Sequence, residues 1–276
     1  MLVDRYHLRR ITLLSGASAV LAATSALAAL FNRHMYDDVI PPDMILGALG
    51  FDIMSLLVAL GMGACLAALY RGRESAWLLW SGLQGYLLYA YALYAFDFVS
   101  TPLYIAYVAI LGLSVFAFAV FVRSFNMRFL QRWHPGELPR HAMAGTLFTI
   151  AGMFAAAWTY MLLAATLRRA ELPPSTIIVM DLAFTLPLLA IVATMLAKHR
   201  PLGDFLAPGV FALSAAITLG VVFGEILRPA FGEPFEPGVA APYLLPGFVC
   251  LAFAIFAYLR VARAIPPAPR HREKLS

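Results

Sequence analysis

Eight apolar runs follow one another along this chain, at roughly 11–31, 44–70, 76–97, 102–122, 142–166, 176–197, 205–227 and 243–262. A helix needs about 20 apolar residues to cross a bilayer. In hydrocarbon every backbone N–H and C=O must be satisfied within the protein, which leaves helices and closed barrels as the spanning structures. Runs of this length are helices, so the sequence predicts an all-α fold: a polytopic membrane helix bundle with eight transmembrane helices. Charged residues make up 13% of the chain, about half the share of a soluble domain, too few to cover a water-facing surface.

The net charge of +5 does not point to nucleic acid once the basic residues are placed. Sixteen of the 20 fall in the two termini and the even-numbered connections: Arg5, Arg9 and Arg10; Arg71 and Arg73; Arg123, Arg128, Arg132 and Arg140; Lys198 and Arg200; and the tail from Arg260 to Lys274. The odd connections hold Arg33, Arg168, Arg169 and Arg228, and carry acids instead. The positive-inside rule then puts both termini in the cytoplasm of a bacterial inner-membrane protein. The basic start and Ala26-Leu27-Ala28 resemble a signal peptide, but the first apolar run is long for one and is read as an uncleaved span.

The two halves of the chain align. Pro41-Pro42 precedes Asp52 as Pro173-Pro174 precedes Asp181, and Asp97 matches Glu225, at offsets of 129 and 128 residues. Gly82 follows Trp77 as Gly209 follows Phe205. Four spans per half is an even number, so the expected arrangement is a tandem 4+4 parallel repeat about an axis along the membrane normal. The expected parts are a first four-helix half at 1–122, a cytoplasmic connector at 123–141, a second half at 142–264 and a cytoplasmic tail at 265–276.

Carboxylates inside apolar runs are costly, and by default they mark function. Asp52 and Asp181 are the deepest, duplicated pair; Asp97 and Glu225 come to the same level from the neighbouring runs. Tyr86, Tyr89 and Asp97 share a broad face with Tyr94, and Ser214, Thr218 and Glu225 lie within about 40° of one another at helical spacing. The expected binding residues are therefore Asp52, Asp181, Asp97, Glu225, Tyr89 and Thr218. Competing accounts have Asp52 and Asp181 capping helix starts, Glu225 pairing with Arg228, and the tyrosines forming an interfacial belt with packing.

Other chemistry is missing from the runs. No histidine lies inside a span and no lysine lies at mid-depth, against histidine-ligated haem, buried histidine-ligated metal and a retinal Schiff base. No Walker loop, G-x-S-x-G or H-E-x-x-H is present, and no cofactor is expected. Cys65 and Cys250 have no metal-ligand spacing. His34, Asp37 and Asp38, with Asp43, form the one loop cluster whose donors suit a divalent ion; a solvated acidic loop is the plainer reading. Residues 123–140 mix arginines with Phe129, Leu130 and Trp133, a composition for lying on an anionic leaflet. Pro187, Pro208 and Pro246 imply kinks in the last three runs.

At Gly50-x-Asp52-x-x-x-Leu56, Leu79-Trp80-x-Gly82 and Leu88-Tyr89-x-Tyr91-x-x-Tyr94 the chain resembles a broad group of uncharacterised bacterial polytopic membrane proteins. Its relatives often carry Asn where this chain has Ala90. The resemblance covers roughly 45–120, more weakly 178–215, and implies no activity. The leading expectation is a small transporter or permease with an outer-side acidic cavity for a cation, protons or a small basic solute. The alternatives are an accessory subunit of a larger membrane complex or homo-oligomer, and a membrane-embedded enzyme acting on a lipid or isoprenoid.

Overall fold

The computed structural model describes residues 2–37, 39–127, 130, 138–168 and 175–264. Asp38, residues 128, 129 and 131–137 of the 123–141 connector, and the tail from 265 lie outside them. Every regular element among the described residues is helical. Eight long helices carry the fold: α1 (Arg5–Phe31), α2 (Pro42–Tyr70), α3 (Trp77–Asp97), α4 (Tyr104–Ser124), α5 (Arg140–Arg168), α6, α7 (Pro201–Leu227) and α8 (Pro237–Ala264). Helix α6 runs in three consecutive pieces: an α turn and a half (Ser175–Met180), a π turn (Asp181–Thr185) and a regular stretch (Leu186–Ala197).

Local chemistry sets these limits. Asp4 caps α1 by accepting a hydrogen bond from the His7 N–H at 2.9 Å, a donor otherwise left without a helical partner. That bond holds the Asp4 carboxyl below its ordinary value of 3.8. Pro42 opens α2 where no N–H is needed, and Gly72, at φ 77°, turns the chain away after its end. In α6, Pro187 can donate nothing to the Ala183 carbonyl and its ring crowds that turn. The helix widens into its π turn at this place.

Seven of the eight helices are long and apolar enough to cross a membrane, which makes the chain a multi-pass membrane protein. The exception is α3, the tyrosine-rich helix. It occupies the middle of the bundle, against α1, α2, α4 and α7, and most of its polar side chains bond to neighbouring helices. Trp80 Nε1 donates to Ser15 Oγ in α1 at 2.9 Å, and Tyr91 donates to the Ala22 carbonyl at 3.1 Å. Gln84 donates to Ser114 Oγ in α4 at 2.8 Å. Tyr86 and Tyr94 donate to the Phe51 and Ala48 carbonyls of α2, each at 2.8 Å. Tyr86, Tyr89, Tyr91 and Tyr94 are all buried. They are interior anchors, and not the interfacial belt that their composition also allowed.

Helices α1 to α4 close a ring, each packing on the next and α1 on α4. Helices α5 to α8 pack in succession, α5 on α6, α6 on α7 and α7 on α8. The two groups meet where α7 crosses α2 and α3, and both crossings are made by glycine. A Cβ on Gly50 would run into the backbone of Gly220 and Gly224, and one on Gly82 into the Gly209 carbonyl. No side chain larger than hydrogen fits there. At one end of the bundle Arg140 holds the buried Asp204 by two bonds of 2.8 Å from Nε and Nη2. Glu74, before α3, accepts from the Leu2 N–H at 3.2 Å. Cys65 and Cys250 are buried and unbridged.

Candidate functional site

Asp181 opens the π turn of α6, one residue past its first α-helical piece. Both of its oxygens are held from other helices. Tyr89 of α3 donates its hydroxyl to Oδ1 at 2.9 Å, and Trp158 of α5 donates Nε1–H to Oδ2 at 2.9 Å. Two donors and no acceptor is the environment that suits an ionised carboxylate. Neither donor is a helix N-terminal N–H, so Asp181 is not a cap.

Asp181 faces a cavity of about 240 Å³. The opposite walls are Phe51 of α2, Phe154 and Trp158 of α5, Ser214 and Thr218 of α7, and Tyr243 of α8. The Phe154 and Tyr243 rings pack on each other in this lining, their centroids 5.4 Å apart. Thr218 does not offer its hydroxyl proton to the cavity: it donates to the Ser214 carbonyl one turn back, at 2.7 Å. Among the described residues Asp181 is the one formally charged side chain in the lining, which otherwise consists of aromatic, aliphatic and hydroxyl groups.

Of the six residues expected to bind, three meet here: Asp181, Tyr89 and Thr218. The other three stand outside this lining, each with its own partners. Asp52 is 1% exposed and accepts from Tyr36 at 2.8 Å and from Tyr94 at 3.2 Å. It sits nearly three turns into α2, so it too is not a cap. Asp97 accepts from Thr176 at 2.5 Å, tying the end of α3 to the start of α6. Glu225 lies 3.3 Å from the Arg228 guanidinium, one turn on, as their spacing allowed. Arg228 also reaches Glu233 and Glu236. The picture of four carboxylates around one hollow is corrected accordingly, because tyrosine, threonine and arginine partners draw three of them to separate places.

The loop cluster does not assemble a metal site among the described residues. His34 pairs with Asp37 at 2.7 Å on an exposed 3-10 turn, while Asp43 stands in the first turn of α2 and Asp38 lies outside the described residues. Trp158, Phe154 and Tyr243 in the site, and Tyr36 beside Asp52, are the residues that sequence reasoning passed over. Tyr36 lies in a loop, and the other three lie on runs with no acid of their own. Comparison of the chain with protein-family models, with curated proteins and with solved structures gives no match.

Proposed function

We propose that this protein is a small carrier of the bacterial inner membrane whose solute is an organic cation held at Asp181. The observation that carries the reading is a lone carboxylate, fixed by Tyr89 and Trp158, in a cavity whose other walls include Phe51, Phe154 and Tyr243. A cation near the faces of such rings gains electrostatic attraction, on the order of 2 kcal/mol once desolvated. A carboxylate inside a bundle needs a counter-charge, which the described lining residues do not supply. A volume of about 240 Å³ falls below the roughly 300–1,000 Å³ of drug-sized sites, which suits a small ammonium headgroup.

In this reading all eight helices span the bilayer, α3 included, with both termini cytoplasmic, and the chain is a tandem repeat of two four-helix halves in parallel. Two contacts support the duplication. Gly82 and Gly209, aligned by sequence, press on each other where α3 crosses α7, as equivalent residues on a twofold axis must. An acid at the start of the third helix of each half, Glu74 or Asp204, holds the start of its first helix. The resemblance to bacterial polytopic proteins around Gly50 and Asp52 belongs to the same proposal.

The test is binding of tetramethylammonium and benzyltrimethylammonium to the purified full chain by titration calorimetry, followed by uptake into proteoliposomes. Asp181→Asn is expected to weaken binding at least tenfold and to stop uptake, while Asp52→Asn leaves affinity within about twofold. Equal affinity of Asp181→Asn and wild type, or no binding of either cation to wild type, overturns the proposal.

A further inference from the structure

Behind the π turn of α6 lies a second cavity, of about 230 Å³, between α3, α4, α6 and α7. It shares Tyr89 and Thr185 with the first, so the same two side chains form the partition between them. Its own walls are largely apolar: Gly85 and Leu88 of α3, Phe184 and Leu188 of α6, Leu206 and Leu213 of α7 contribute to it, and among the described residues no charged side chain does. Its floor is the close Gly82–Gly209 crossing. Phe184, on its outer rim, is 61% exposed, which leaves the cavity within reach of the lipid phase.

The partition is itself irregular. Thr185 donates to the Met180 carbonyl five residues back, at 3.3 Å, and the turn between them is a π turn. Such turns place extra backbone into a helix and are frequent at functional sites. Here the turn presents Asp181 to one cavity and Phe184 to the other, with Thr185 between them.

We propose, granted the cation site described above, that its ligand is amphiphilic: an ammonium headgroup at Asp181 with an apolar arm of a few carbons passing Thr185 into the second cavity. The headgroup cavity has aromatic walls and one charge; the second, across the Tyr89–Thr185 partition, has no charged side chain among the described residues. Together they match a molecule with one polar and one apolar end. A hydrophilic cation of the headgroup's size would leave the second cavity without a role.

The experiment measures tetramethylammonium and hexyltrimethylammonium binding to the full chain in detergent. Wild type is expected to bind the hexyl compound at least tenfold more tightly. Leu188→Trp, which fills the second cavity, should remove that advantage while leaving tetramethylammonium affinity within about twofold. Gly85→Val is the second variant: a Cβ at Gly85 meets Leu213 at an ordinary 3.5 Å, so it narrows the cavity without a backbone clash. Asp181→Asn should weaken both ligands, which separates binding from partition into the micelle. Equal affinity of the two cations for wild type, or an unchanged hexyl advantage in both filling variants, overturns this inference and leaves the cation site standing. Binding of neither cation to wild type overturns both.

Discussion

Single residues decide where the helices of this bundle touch. At Gly82 any β-carbon meets the Gly209 carbonyl, so Gly82→Ala must push α3 off α7. The expected cost is about 1–3 kcal/mol or more, read as a lowered midpoint of thermal unfolding in detergent. Gly112 and Gly63 have nothing within 4 Å of an added β-carbon. Alanine at either should be neutral or should stabilise by up to about 1 kcal/mol through helix propensity. A second residue makes stability depend on pH. Burial pushes the Glu74 carboxyl above its ordinary value of 4.5, so the folded chain holds that proton more tightly than the unfolded one. Stability from this group is complete below 4.5 and is lost as the pH rises through the higher folded value. Glu74→Gln keeps an acceptor for the Leu2 N–H without the charge. It should flatten the fall in unfolding midpoint as the pH is raised from about 4 to 7, whereas an unchanged slope would exonerate Glu74.

Between elements, the pairing of Arg140 with Asp204 joins the start of α5 to the start of α7. Asp204 is 3% exposed in its side chain and Arg140 18%, so neither is freely solvated. Removing one partner leaves the other charge uncompensated, and Arg140→Met is expected to cost about 3–5 kcal/mol. The double variant Arg140→Met/Asp204→Leu should recover most of that loss, because two apolar side chains replace both charges. A double variant as unstable as the single would show the damage to be packing alone. Much at this scale was legible from the sequence. The apolar runs mark the helices, and the cost of a carboxylate in hydrocarbon marks Asp52 and Asp181 before any coordinates. The partners of those acids were not legible. Tyr36 reaches Asp52 from a loop, and Trp158 reaches Asp181 from a different run. Helical spacing orders residues on one rod; it says nothing about which face of another rod comes opposite. For the same reason Thr218 was placed on a polar stripe with Glu225, yet Glu225 turns to Arg228 and Thr218 to the cavity. The π turn has a sequence cause in Pro187, but a proline signals a disturbed helix and not the kind of disturbance.

Across the whole molecule, the most polar helix is the most enclosed. Its polar groups find partners on several other helices: α1, α2 and α4 receive bonds from Trp80, Tyr91, Tyr86, Tyr94 and Gln84, Tyr89 bonds to Asp181 of α6, and α7 packs against the same helix. That dependence reaches back into biogenesis. As the chain leaves the ribosome, α3 is made more than a hundred residues before α7, yet it is the long helix with the weakest claim of its own on the lipid. It must therefore wait at the insertion machinery, or beside α1 and α2, until its late partner arrives. A chain truncated after α4 should accordingly leave α3 open to protease in a membrane-insertion assay, and adding back the length through α7 should protect it.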